Sequence, residues 1–233
     1  MMWQNQLPFR WWLGFEAKRK RALALAPEGP LKDFLATPFP DLSCPVNELP
    51  LVAVDFETTG LDAVADKLLS VGFCQLESGL INLGSSFHQI INTKQKLKPE
   101  NVVVHHITDE QQQQGLPLEE VVEDLLKALA GKVMLVHFNQ IERHFLQQAC
   151  LELYGVKPPL LMIDTLLIAK RRLDQRDVAY DPSELRLTNQ RSYYQLPHYA
   201  AHNALSDAVA TAELFLAQTT HLSKDTTLSS LLA

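Results

Sequence analysis

The sequence has no zinc or redox signature: its three cysteines, Cys44, Cys74 and Cys150, form no C-x-x-C pair. A scattered, odd set of thiols suits a reducing compartment, with Cys74 and Cys150 expected to be buried. No apolar run is long enough to span a bilayer. The N-terminus is also not patterned as a signal peptide, because Lys18-Arg19-Lys20-Arg21 follows the aromatic stretch instead of preceding it. These absences lead us to expect a cytoplasmic protein without a membrane span. Excess positive charge is missing too: the formal net charge is -6 and the pI about 5.7. That argues against a broad basic surface coating long duplex nucleic acid, but not against a local site gripping one strand end. No internal repeat is visible, and Gln111 to Gln114 reads as solvated surface.

What is present is an ordinary globular balance, 46% hydrophobic and 21% charged over 233 residues. The chain divides into a helical, Pro-rich arm (1–49), a compact domain (50–218) and a Ser/Thr-rich tail (219–233) expected to fray. In the arm, Glu16 to Ala26 suits a helix, and six of thirteen prolines between Pro27 and Pro50 predict an extended segment. Its Trp-rich start, around Trp11-Trp12, is either a docking surface for a protein partner or a membrane surface, or a helix packing its aromatics on the domain behind. The packing reading is favoured.

In the domain, strands are expected from Leu51, running into the Thr58-Thr59-Gly60 turn, and over 68–76, 87–91, 133–136 and 160–163, with close spacing of the first three suggesting antiparallel hairpins. Helical spacing marks 119–129, 140–154 and 203–217. Asp164 is placed to cap a further helix. Residues 171–191 show no clear period and read as a mobile loop or a poorly formed helix. Strands first, then strand–helix alternation, predicts an α/β fold: a mixed central sheet flanked by helices, with an N-terminal extension.

The chain is organised around Leu51-Val52-Ala53-Val54-Asp55-Phe56-Glu57-Thr58-Thr59-Gly60. A buried strand carries Asp55 and Glu57 two residues apart, so both point to one face. Paired acids at a strand end repel unless something offsets the cost, and a hard divalent cation does so through carboxylate oxygens. Three more stretches supply fitting chemistry. His137-Phe138-Asn139-Gln140-Ile141-Glu142 places an acid at a strand-to-helix junction. His202-Asn203-Ala204-Leu205-Ser206-Asp207 places Asp207 near the apolar side of a helix, where an acid is costly unless paired or metal-bound. His202 precedes that helix, and an imidazole placed there can take a proton from water. Val102-Val103-Val104-His105-His106-Ile107-Thr108 offers two histidines that could line a pocket.

Together these stretches resemble the DEDDh, or DnaQ-like, exonucleases, the family of the proofreading epsilon subunit of bacterial DNA polymerase III. Asp55-Phe56-Glu57-Thr58-Thr59-Gly60 is similar to the family's first motif, and His202 to Asp207 to its third. His105-His106-Ile107-Thr108 resembles the H-G-I-T segment, with His106 in place of glycine. The likeness covers about residues 50–218. Two departures stand out. Glu142 occupies the place of the family's aspartate, and Phe138-Asn139 replaces Asn-Ala. Glutamate keeps the charge and adds one methylene, which is compatible with direct ligation after a small shift or with a weakened second metal site.

The resemblance implies an RNase H-like fold and two ions, Mg2+ or Mn2+, in one site. It implies Asp55 between both ions, Glu57 and Asp207 on the first, and Glu142 serving the second. His202 would deprotonate the attacking water. Thr58, Thr59, Gly60 and Leu61 would contact the terminal nucleotide, Leu61 would wedge against its base, and His105 would line its pocket. The implied reaction is 3′–5′ exonucleolytic release of nucleoside 5′-monophosphates, with single-stranded or frayed DNA ends favoured, in repair or proofreading. The alternatives are an oligoribonuclease acting on short RNA and a non-catalytic nucleic-acid or partner-binding module whose site has lapsed.

Overall fold

The structure, a computed structural model, describes residues 6–93, 107–176, 178–199 and 202–232, with side chains from Leu13 onward. Its centre is a five-stranded sheet in the order β3-β2-β1-β4-β5. The strands are β1 (Leu51–Thr58), β2 (Leu68–Glu77), β3 (Leu80–Ile90), β4 (Val133–Val136) and β5 (Met162–Asp164). β1 pairs antiparallel with β2 and β2 with β3, whereas β4 and β5 join in parallel. The mixed sheet follows from chain order. The first three strands connect through short turns, and the parallel ones need helical crossovers.

Around the sheet run α1 (Gln6–Leu25), α2 (Pro30–Ala36), α3 (Asp109–Gln113), α4 (Leu118–Leu129), α5 (Gln140–Tyr154), α6 (Thr165–Asp174), α7 (Leu187–Tyr193), α8 (Ala204–Thr219) and α9 (Leu228–Leu231). β1 and β4 are buried almost throughout, as continuous apolar runs covered on both faces must be. α4 turns Val121, Val122, Leu125, Leu126 and Leu129 into the core. α5 stops at Gly155, whose φ of 72° only glycine adopts without strain. Cys74 and Cys150 are both fully buried, and burial pushes their thiols up to about 11 and about 12.

Four expectations are corrected. The stretch from Pro27 to Pro50 is not simply extended. Pro30 starts α2, as proline does at a first helical turn, and Leu31, Phe34 and Leu35 are buried against the domain. Phe15 of α1 is buried and packs edge-on to Phe39, whereas the side chains of Trp11 and Trp12 lie outside those described. The polar run 171–191 holds the end of α6, a 3-10 turn at Pro182–Leu185, and α7. Its order comes from tertiary partners: buried Arg191 donates to Ala210 O, Pro197 O and Glu213 Oε2. The tail is not frayed, because α9 buries Leu228 and Leu231 and flanking residues bridge to Pro45 and Ile163. Finally, Gln112 is buried and bonds Thr93, so the glutamine run is not wholly solvated.

Candidate active site

The catalytic candidates gather at the C-terminal edge of β1. Asp55 lies opposite Gly72 and Glu57 opposite Ser70 in the β1–β2 register, so all four positions share one face. That face receives the N-terminus of α8. A Cβ on Gly72 would stand 2.1 Å from Leu205 N and 2.2 Å from Ala204 C, so the helix backbone rests directly on the glycine. Asn203 starts α8 by accepting from Ser206 N at 3.0 Å. Asp207, one turn in, accepts from the backbone N–H of His202 at 2.8 Å. His202 takes a left-handed φ of 68°, which turns the chain tightly enough for that bond.

Carboxylate oxygens of Asp55, Glu57 and Asp207 all lie within 4.8 Å of one another. Two unit charges at that spacing repel by about 3 kcal/mol at an effective dielectric of about 20. Burial pushes the Asp55 carboxyl well up, reinforced by Glu142, then Glu57 and Asp207. Asp207 is also raised, by burial and Glu57, against the lowering pull of its bonds to the His202 and Asn203 backbone.

Glu142 sits in the first turn of α5, buried to 3% exposure; it interacts electrostatically with Asp55 but is not part of the 4.8 Å group formed by Asp55, Glu57 and Asp207. Burial raises its pKa well above the ordinary value, with Asp164 and Glu57 adding to the rise. Its Oε2 is buried with no hydrogen-bond partner. A first-turn acid favoured only by the helix dipole would be solvated. An orphaned buried carboxylate oxygen beside three crowded acids is instead what an oxygen-ligated divalent cation satisfies. The donor set is all carboxylate, which suits hard ions such as Mg2+ and Mn2+ over soft metals.

Asp55, Glu57 and Asp207 open onto a cleft of about 390 Å³ lined by Asp55 to Leu61, Ile141, His202 and Asp207, whereas Glu142 is not among its lining residues. Its rim is the β1–β2 turn. Thr58 Oγ1 donates to Gly60 O at 2.7 Å, and Thr59 Oγ1 donates to Asp66 Oδ1 at 3.0 Å. Leu61 at the tip is 76% exposed. His105 and His106 lie outside the described residues, while Ile107 is buried and Thr108 caps α3.

Three positioning residues escaped the motif reading. Asp164 caps α6 through Leu166 N at 2.9 Å, as expected. It also accepts from Phe138 N at 3.0 Å and Asn139 N at 2.9 Å, fixing the junction that aims Glu142. Asp66 holds the rim turn through Thr59 and the Asp62 N–H. Gly72 admits α8, and a lone glycine inside a strand pattern was the sequence signal for such a close approach. His137 is half-buried, its ring between Thr165 Oγ1 and Leu185 O, contacts that serve packing of the junction.

Residues 52–215 match the family model described as exonuclease. The DNA polymerase III PolC-type protein of Thermotoga petrophila is 28% identical over 165 residues, 71% of this chain but 11% of that protein. The DNA polymerase III subunit epsilon of Treponema pallidum is 29% identical, covering 74% of this chain and 77% of the relative. The chain thus spans about a ninth of the PolC-type relatives. Among solved structures, cell-death related nuclease 4 superposes with a TM-score of 0.66 at 17% identity, covering 79% of this chain and 67% of that one. The nuclease domain of 3′hExo, a DEDDh family member bound to rAMP, gives 0.63 at 15%, covering 76% of this chain and 94% of that one. These superpositions share the RNase H-like fold. The matched span runs from the start of β1 into the body of α8 and encloses all four acids and the histidine, so this chain belongs to the exonuclease family.

Proposed function

We propose that residues 50–218 form a metal-dependent 3′–5′ exonuclease domain that releases nucleoside 5′-monophosphates from nucleic-acid 3′ ends, with single-stranded or frayed DNA favoured. The observation that carries this reading is the convergence of Asp55, Glu57 and Asp207 within 4.8 Å, backed by the orphaned Oε2 of Glu142. Asp55, Glu57, Asp207 and Glu142 are the residues that would hold Mg2+ or Mn2+, and such ions would supply charge stabilisation for a displacement at phosphorus. His202, on the cleft wall and backbone-tethered to Asp207, takes the proton of the attacking water at its imidazole nitrogen. Thr58, Thr59 and Gly60 hold the terminal nucleotide at the cleft rim, and the exposed Leu61 packs against its base. His105 completes the pocket. A site of this kind reads an end by stacking and not by groove contacts.

A structural neighbour that is an exonuclease I–single-stranded DNA complex, and relatives that are DNA polymerase III subunits, support DNA and a repair or proofreading role. The deciding experiment digests matched 3′-end DNA and RNA oligonucleotides with Mg2+, Mn2+ or EDTA. Mononucleotide release from the 3′ end is expected with either metal, abolished by EDTA and by Asp55→Ala, and retained by Glu142→Asp. A faster RNA ladder would transfer the substrate reading to short RNA. No release from either polymer under any metal would leave a binding module instead.

A further inference from the structure

Far from the acidic cleft, the chain carries a groove of opposite charge. α1 and the loop after α5 enclose about 350 Å³ lined by Lys18, Arg21, Lys157, Gln147, Pro158 and Leu25. The lining contains no acid, although the chain as a whole carries a net charge of -6. Lys18 and Arg21 are one helical turn apart on α1, with Ala22 buried between them and the domain. Their neighbour Arg19 is taken up by Glu16 and by Leu35 O. Among the described residues, Lys18, Arg21 and Lys157 make no ion pair, and all three are exposed. Gln147 is held in place by donating to Pro158 O at 2.8 Å. Three cations without an ion pair, facing one groove from two sides, create a local positive potential that attracts a polyanion.

The groove and the active site lie at opposite ends of the same helix. α5 starts beside Glu142 and ends at Tyr154, a length of about 22 Å for its 15 residues. Between the two ends, Gln140, His144 and Gln147 follow one face at spacings of four and three, with no acid among them. A strand whose end is in the cleft therefore has an acid-free path along α5 to the basic groove.

We propose that the groove formed by Lys18, Arg21 and Lys157 binds phosphates of single-stranded nucleic acid upstream of the 3′ end. This rests on the exonuclease reading for its choice of polyanion. It makes the N-terminal helix part of substrate binding. At the stacked spacing of about 3.4 Å per nucleotide, 22 Å corresponds to about six nucleotides. Substrates shorter than that use the cleft alone.

The test is fluorescence anisotropy in EDTA with 5′-labelled oligothymidylates from dT2 to dT12, so that no hydrolysis is required. The parent should show a step in affinity near six nucleotides. The Lys18→Glu, Arg21→Glu, Lys157→Glu triple variant should lose that step, about tenfold at dT12, with dT2 binding and the melting temperature unchanged. Its log Kd against log salt should be shallower by about 2, from three contacts at about 0.7 each on a single strand. The triple glutamine variant should lose about half as much if charge is the cause. An unchanged dT12 affinity and salt slope would overturn the proposal, as would equal weakening of dT2 and dT12. Displacement of dT12 by an oligoglutamate of matched charge at equal affinity would assign the groove to an acidic protein segment instead. A parent that shows the length step but never hydrolyses with metal would sink the exonuclease reading and leave the groove standing.

Discussion

Gly72→Ala is the sharpest perturbation of the site, because it touches no acid and yet moves one. The added methyl would lie 2.1 Å from Leu205 N and 2.2 Å from Ala204 C, both backbone atoms. Restoring an ordinary contact of 3.4 Å requires the start of α8 to retreat by about 1.3 Å. Asp207 is two residues further along the same helix and moves with it, which opens the 4.8 Å carboxylate group. A misplacement of about 1 Å in a catalytic constellation costs about 100-fold in rate. Overpacking should also lower stability by about 1–3 kcal/mol. We expect kcat on a defined oligonucleotide to fall about 100-fold, Mn2+ affinity by calorimetry to weaken, and the urea midpoint to shift modestly. Gly14→Ala is the control: nothing lies within 4 Å of the new methyl, and a helix interior gains about 0.5–1 kcal/mol from alanine. That variant should be more stable with an unchanged rate. A Gly72→Ala protein with the parent's kcat and metal affinity would show that α8 does not set the position of Asp207.

The carboxyls of Asp55, Glu142 and Asp207 are all raised on folding, so their contribution to stability is full below the ordinary carboxylate range and is lost as pH rises through the folded values. In EDTA, the parent should therefore lose stability relative to Asp55→Asn as pH climbs above about 4, and Mn2+ should reverse the loss; identical pH profiles for the two proteins would remove the repulsion from the account. Taking the difference between the two cancels the opposite effect of His137, which burial holds below its ordinary value. Asp164→Ala strands three backbone donors, those of Phe138, Asn139 and Leu166, and should cost about 3 kcal/mol or more by urea denaturation. A loss under about 1 kcal/mol would mean water replaces the carboxylate there. Leu61→Ala should leave stability unchanged and raise KM about five- to tenfold, the worth of one apolar contact made only with substrate. An unchanged KM would take Leu61 out of the nucleotide pocket.

Much of this protein is written in local pattern. The Asp55–Glu57 spacing on an apolar run dictates a buried strand with two acids on one face, and the helical periods of α4 and α8 stand out without any structure. The register of Glu142 was legible from the motif around it. What no pattern could give was its solitude: an unpartnered Oε2 at 3% exposure exists only once β1, α5 and β5 have closed around it. The same holds for α2, α7 and α9, whose polar or proline-rich sequences lack a period of their own and are ordered by distant partners such as Glu213 for Arg191. Sequence therefore determined which residues carry the chemistry, because motif spacing is a property of neighbours along the chain. Tertiary structure alone decided how near those residues come, because burial and the 2.1 Å approach of Leu205 to Gly72 arise between segments far apart along the chain.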